Sequence, residues 1–191
     1  MKVTLIFLTM APAHIYSISL IMLSVLLFLF SLTVQANATN IELERVNGNK
    51  QSMSDFIGKG KWVVVNVWSP TCTACVKELP HIETFRKKHE DTVIVLGLTI
   101  DYPSFAYGKI DIIRDFLETR PIHYPLFLAD LELASEVIGN RLVGIPLIAI
   151  FHPDGDVVAR WPGYIDTREI EEFMTNYKDY VPDDELSSGF E

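Results

Sequence analysis

Between Val3 and Ile41 the sequence holds no aspartate, glutamate, lysine or arginine, a run of 39 residues without formal charge. Cysteine is nearly as scarce, with two in 191 residues. Two cysteines cannot build a disulfide framework, nor fill a four-cysteine zinc or iron–sulfur site. Positive charge is short as well: 16 Lys and Arg stand against 25 Asp and Glu, a net charge of −9. Lys2 is the only charged residue of the first 38, so the rest of the chain is more acidic still. Such a body repels phosphate backbones and anionic lipid headgroups, which sets nucleic-acid binding aside. What is abundant is apolar surface, with 49% hydrophobic residues and a mean hydropathy of +0.22. That is too apolar for a disordered chain, and the length suits one domain of ordinary size with an appendage.

The appendage is the uncharged N-terminus. Ile15 to Val34 gives 20 uncharged residues. As a helix rising about 1.5 Å per residue they span roughly 30 Å, a bilayer core. A buried core helix of this length would carry a polar stripe, and this segment has only scattered Ser and Thr. Lys2 precedes it while Glu42 and Glu44 follow, which favours the N-terminus inside and the body outside. Val34-Gln35-Ala36 and Ala36-Asn37-Ala38 offer small residues for signal cleavage, yet the apolar core is long for a signal peptide. Both readings of residues 1–38, cleaved signal and retained anchor, therefore stand. Either places the body in a periplasmic or other extracytoplasmic space, where disulfide chemistry is permitted.

The body alternates strand and helix patterns. Ile41–Val46 reads as a short first strand. Trp62–Trp68, nearly continuous in β-branched apolar residues, reads as a strand covered on both faces. Cys72–His89 reads as a helix, with Val76, Leu79, Ile82 and Phe85 as its apolar stripe. Thr92–Ile100 is a second buried strand, Ile110–Thr119 an amphipathic helix, Pro125–Leu128 a short strand, and Leu131–Ile138 a helix ended by Gly139. Pro146–Phe151 and Asp156–Trp161 flank the turn His152-Pro153-Asp154-Gly155, whose glycine supplies positive φ. Thr167–Tyr180 is a last helix with Ile170, Phe173, Met174 and Tyr177 on one face. Residues 181–191 form an acidic tail containing Asp183, Asp184 and Glu185. Residues 39–180 are then one α/β domain, a central mixed sheet with helices on both faces.

Chemistry concentrates in Trp68-Ser69-Pro70-Thr71-Cys72-Thr73-Ala74-Cys75. Cys72 falls where a buried strand hands over to a helix, beside unpaired N–H groups and the positive end of the helix dipole. Both favour a thiolate. Cys75 follows one turn later on the same side, close enough for the sulfurs to bond. Cys72 then attacks a substrate disulfide and Cys75 resolves the mixed disulfide. A purely structural disulfide here would close a tiny loop and stabilise little. A metal would need two further ligands. The nearest, His81 and His89, lie at no recognised spacing and read as exposed helix positions. Exchange between two sulfurs calls for no cofactor and no metal.

Trp-x-x-x-Cys-x-x-Cys after Val-Asn-Val-Trp resembles the thioredoxin fold, and more narrowly the TlpA/ResA-like membrane-anchored thiol–disulfide oxidoreductases. Gly144-Ile145-Pro146 is similar to the family's cis-proline segment, His152-Pro153-Asp154-Gly155 to its hairpin turn, and Trp161-Pro162-Gly163 to the end of its next strand. The resemblance covers roughly residues 41–178 and implies a thioredoxin-like three-layer fold. It also implies a cis bond between Ile145 and Pro146, with the Ile145 backbone offered as a docking edge for an extended substrate. The competing reading is a trans proline opening an edge strand. Asn66 stands where thioredoxin itself has a buried aspartate. Glu78, three residues past Cys75, matches a glutamate common in this group and would accept or relay a proton, against a plain solvated charge. Trp68 would pack beside the pair and shield it, or serve the core alone. Pro80 is structural. Residues 101–139 are longer than a simple connection and match the position of the family's inserted helix and strand, with Tyr102, Phe105, Tyr107 and Tyr124 packing the insertion.

The function implied is exchange with protein disulfides, as a reductase. Electrons would come from a membrane thiol carrier and go to apocytochrome c or another client. Thr73 and Ala74 match neither the Gly-Pro pair of thioredoxin nor the Pro-His pair of strong oxidants, so the direction of electron flow stays open. Two other classes remain: a copper-handling protein using the pair with a later histidine such as His152, and a non-enzymatic module binding partners along the Ile145–Pro146 edge. The Pro-x-x-x-Thr-x-x-Cys arrangement of a peroxide-binding site is missing around Cys72.

Overall fold

Alternate residues of β3 (Trp62–Trp68) point to opposite sides of the sheet, and every one from Val63 to Trp68 is buried. Val63, Val65 and Val67 enter one core, while Val64 and Trp68 enter the other. This is the physical content of a continuous apolar strand: both faces are covered. A computed structural model describes residues 40–177 of the chain. The signal or anchor segment, residues 1–38, and the acidic tail, residues 181–191, lie outside the described residues. Among the described residues no helix is long and apolar enough to cross a membrane.

The described residues form seven strands: β1 (Glu42–Arg45), β2 (Lys50–Ser52), β3, β4 (Val93–Thr99), β5 (Leu126–Leu128), β6 (Leu147–Phe151) and β7 (Val157–Pro162). They make one mixed sheet in the order β2-β1-β5-β4-β3-β6-β7. The strands β3, β4 and β5 run parallel, and β6 lies antiparallel on the other side of β3. The helices are α1 (Thr73–Lys88), α2 (Ile110–Thr119), α3 (Leu131–Val137) and α4 (Thr167–Thr175). One core joins Val64, Val95, Ile148 and Ile150 to Ile82 and Phe85 of α1 and to Ile170 and Phe173 of α4. The opposite core joins Val65, Leu98 and Ala149 to Ala134 and Val137 of α3 and to Met53. The expected α/β sheet with helices on both faces is what forms.

Most element boundaries match the sequence reading within a residue or two. The Cys72–His89 helix begins at Thr73, with Cys72 as its N-cap and His89 as its C-cap. Pro80 sits inside α1 without ending it, and Arg86, Lys87 and Lys88 occupy the last turn, where cations suit the dipole. Val76, expected in the buried stripe, is only half-buried; Cys75 and Glu78 take the buried positions instead. The last helix runs Thr167–Thr175, with the Asn176 N–H on the Glu172 carbonyl, and residues 178–180 of the expected Thr167–Tyr180 span lie outside the described residues. The β1–β2 hairpin was not expected. Its signal was Asn47-Gly48, a strong hairpin dipeptide, and Gly48 has φ +86.

Gly97 is the tightest point of the sheet beneath α1. A Cβ there would lie 2.5 Å from Leu126 Cδ2, 3.1 Å from Tyr124 Cε2 and 3.2 Å from Trp68 Nε1. Three large buried side chains close over that missing side chain, and an added methyl forces Leu126 at least to shift. Gly97→Ala is expected to lower stability by about 1–3 kcal/mol, the usual cost of overpacking, read as a lower urea midpoint. An unchanged midpoint would mean that Trp68 is less firmly held than its burial indicates.

Candidate active site

The redox loop leaves β3 at Trp68 and enters α1 at Thr73. Its turn is closed by the Cys72 N–H on the Ser69 carbonyl at 3.1 Å. Cys72 has extended backbone (φ −90°, ψ 107°), as an N-cap residue must, and its Sγ accepts the Cys75 N–H at 3.2 Å. A sulfur thus takes the place usually held by a serine or aspartate oxygen, facing the donors at the helix start. Cys72 and Cys75 are joined as a disulfide with their Cα atoms 5.3 Å apart. Cys72 keeps 5% of its surface exposed and Cys75 none.

Trp68 is fully buried in the same apolar cluster as both cysteines, with its ring tilted against Phe116 at 5.4 Å. Its indole N–H has no hydrogen-bond partner among the described residues. Trp68 thus belongs to the buried cluster that also holds Cys72 and Cys75.

Glu78 is not a solvated charge. It is completely buried one turn beyond Cys75. Its Oε1 accepts the Ile165 N–H at 3.0 Å and its Oε2 accepts the Asn66 amide at 3.4 Å. Burial pushes its pKa up to about 7, against the smaller lowering by those two donors. Asn66 lies on the α1 side of β3, and its own Oδ1 has no partner among the described residues. A protonated Glu78 can donate to that oxygen if the amide turns, so the pair accommodates both charge states.

The Ile145–Pro146 bond is cis. Pro146 is buried and leads directly into β6, and Leu147 pairs with Val67 beside the end of β3 from which the redox loop springs. Ile145 packs against the cluster that contains both cysteines. The Pro146 carbonyl accepts the Gly163 N–H at 2.8 Å, and two residues further Ile165 binds Glu78. One short segment, 163–165, therefore holds both the proline loop and the buried acid. Sequence reading had no signal for Ile165, whose contribution is a backbone N–H 87 residues away from its acceptor.

A second unforeseen contact clasps the loop. Thr71 Oγ1 donates to the Tyr102 carbonyl at 2.8 Å and stands 2.9 Å from Ser69 Oγ. The insertion is thereby fastened to the residue preceding Cys72. The histidines go elsewhere. His81 lies edge-on to Tyr164, and His89 is half-buried rather than exposed, with Nε2 3.1 Å from Glu171. His152 follows Phe151, which pairs with Val63 at the far end of β3 from the cysteines. There it stacks on Tyr177 and reaches Asp154 at 2.7 Å. The fold does not bring His152 to the pair, as a copper site built from the three would require.

A mixed sheet carrying a helix-capping Cys-x-x-Cys pair opposite a cis-proline loop defines a thioredoxin-like redox domain. The chain belongs to the AhpC/TSA family, whose model matches residues 34–160. Among curated relatives it is 26% identical over 149 residues to the thiol–disulfide oxidoreductase ResA of Bacillus subtilis, covering 78% of each chain. ResA of Bacillus thuringiensis is 25% identical, over 72% of this chain and 74% of the relative. Among solved structures, the thioredoxin domain of a thiol–disulfide oxidoreductase from Bacteroides vulgatus has 25% identity and a TM-score of 0.56, covering 72% of this chain and 99% of the other. The TlpA/ResA-like relationship read from the motifs holds, and the protein is a thiol–disulfide oxidoreductase of that type.

Proposed function

We propose that the protein works outside the cytoplasm as a reductase of protein disulfides, in a role like that of cytochrome c maturation. The reduced Cys72 thiolate attacks a client disulfide, forming a mixed disulfide and releasing one client thiolate. Cys75 then attacks Cys72 Sγ, releasing the second client thiol and leaving the Cys72–Cys75 disulfide. Two electrons pass to the client, and a membrane thiol carrier returns two to the pair. Glu78 takes the proton from Cys75, Trp68 walls the pair, and Ile145 and Pro146 receive the client backbone. Residues 1–38 deliver residues 39–180 across the membrane, and Ile15–Val34 tethers them if uncleaved; residues 181–191 form the tail. No metal or cofactor takes part in these steps.

The observation that carries the exchange itself, in either direction, is the capping geometry: the Cys72 sulfur already accepts the Cys75 N–H at the start of α1, and the reductive direction rests on the likeness to ResA. A thiolate formed there meets donors and dipole at once, while Cys75 is screened from solvent.

The test is the reduction potential of the pair in the soluble domain, by equilibration with glutathione. A value toward roughly −270 mV, that of thioredoxin, is expected and marks an electron donor. A value toward roughly −120 mV, that of a strong oxidant, would reverse the direction.

A further inference from the structure

Ser69, Pro70 and Thr71 lie between β3 and Cys72 and belong to neither a strand nor a helix. Besides the turn bond from the Cys72 N–H, a short chain of hydroxyls holds them, and the direction of its protons is determined. A carbonyl only accepts, so the Thr71 hydroxyl gives its single proton to the Tyr102 carbonyl at 2.8 Å. The Ser69 hydroxyl, 2.9 Å away, then donates to Thr71 Oγ1. The Thr71 N–H completes the chain on Ser69 Oγ at 3.4 Å. Ser69 is buried, so its hydroxyl depends on this chain rather than on water. Hydrogen bonds linked head to tail in this way strengthen one another.

The receiving end is anchored. Asp101, next to Tyr102, donates its N–H to the Ala106 carbonyl at 2.9 Å, accepts the Ser104 hydroxyl at 2.5 Å and pairs with Lys109 at 2.9 Å. The Ile100 N–H reaches the Trp68 carbonyl at 3.0 Å, and the Leu131 N–H reaches the Phe105 carbonyl at 3.0 Å. Redox loop and insertion share one crevice, lined by Ser69, Thr71, Asp101 and Lys109 among others. The Tyr102 carbonyl is therefore a fixed point against which the loop is held.

We propose, resting on the redox reading above, that Thr71 is a positioning residue for disulfide exchange: by tying the residue before Cys72 to the Tyr102 carbonyl, its hydroxyl holds the freed Cys72 sulfur on the α1 cap in the reduced protein. In the oxidised protein the disulfide itself ties Cys72 to α1. Reduction removes that bond. The sulfur then stays against the Cys75 N–H only while Cys72 keeps its extended backbone, φ −90° and ψ 107°. Helix α1 fixes the chain after Cys72, and the turn and the clasp fix the chain before it. The clasp thus matters more to the reduced form than to the oxidised one. It favours thiolate over thiol, and dithiol over disulfide.

The experiment compares wild type with Thr71→Val and Thr71→Ser. Valine keeps the branched shape and removes the hydroxyl, whereas serine keeps the hydroxyl and removes the methyl. Neither changes a charge. Glu78 on α1 and Asp101 and Lys109 on the insertion stay as they are, and Gly144-Ile145-Pro146 carries no charge. A shift therefore reports the placement of the sulfur. Thr71 is exposed, so both variants are expected to fold with urea midpoints close to that of wild type. The first readout is the pH dependence of iodoacetamide alkylation of the reduced protein. Cys75 is screened from solvent, so the fast phase reports Cys72. Thr71→Val is expected to raise the midpoint by about half a unit, which makes alkylation below it about threefold slower. The second readout is equilibration with glutathione. Thr71→Val is expected to shift the equilibrium about threefold toward the disulfide, a potential about 14 mV more negative at roughly 30 mV per tenfold. Thr71→Ser is expected to match wild type in both. A Thr71→Val protein with the wild-type profile and potential, whether or not its urea midpoint moves, would overturn the proposal and leave the redox reading intact. So would a Thr71→Ser protein shifted as far as Thr71→Val. A wild-type Cys72 that titrates like an ordinary thiol at about 8.5, in a protein that exchanges with no disulfide, would remove the redox reading and the role of Thr71 with it.

Discussion

Replacing Cys72 by serine is expected to reduce disulfide exchange to background. The reaction needs a thiolate at the helix start, and a serine hydroxyl stays protonated at any physiological pH. Cys75 cannot stand in, because it has no exposed surface and no path to a client sulfur. Cys75→Ser is expected to behave differently. The attacking sulfur and its N–H donor remain, since the donor is the backbone of residue 75 and not its side chain. The mixed disulfide then forms and is not resolved, so a covalent protein–client species accumulates. Non-reducing electrophoresis after mixing with an oxidised client should show that species for Cys75→Ser and not for Cys72→Ser. The reverse pattern would exchange the roles of the two cysteines. Retention of full activity by Cys72→Ser would end the assignment altogether.

Residue type and spacing revealed what depends on local rules. The buried β3 run, the handover to α1 and the Asp-Gly turn follow from side-chain period and turn chemistry and form where expected, while of the last helix's stripe Ile170, Phe173 and Met174 lie on α4 and Tyr177 just past it. The cysteine pair was legible because two reactive groups one turn apart at a helix start have few other uses. The surroundings of Glu78 were not legible. Its burial depends on Ile165 arriving from the far end of the domain and on Asn66 facing it from the neighbouring strand. On its own helix, beside exposed Lys77 and Pro80, Glu78 looks like an ordinary surface charge. The Thr71–Tyr102 clasp was hidden for the same reason: it joins a hydroxyl to a backbone carbonyl 31 residues later, which leaves no pattern in either segment. The β1–β2 hairpin is the opposite case, a local signal that was there to be read at Asn47-Gly48.

Glu78→Gln is expected to slow the resolution of a client mixed disulfide by about a hundredfold near neutral pH, at the lower end of what a positioned general base contributes. With a pKa of about 7 the carboxyl is divided between its two forms at the working pH, so it can both take the Cys75 proton and return it. Gln can do neither, yet it can keep the Ile165 N–H bond, and its amide can donate to Asn66 Oδ1, which has no partner among the described residues. The fold should therefore survive, and stability gives an independent check. Burial raises the folded pKa to about 7 from an ordinary 4.5, so between those values the native state binds more protons than the unfolded one. Stability from this group is then full below about pH 4.5 and is lost as pH rises through 7, by up to about 3 kcal/mol. This is opposite in sign to a salt-bridged carboxylate, which stabilises at high pH. Urea midpoints from pH 4.5 to 8.5 should fall for wild type by more than for Glu78→Gln, and the variant should be the more stable of the two at pH 8. Stopped-flow measurement of mixed-disulfide decay should show a limb near pH 7 that the variant lacks. If the two proteins shared one pH–rate profile while their stabilities diverged as described, Glu78 would be a buried acid without a part in proton transfer, and another group would have to take the Cys75 proton.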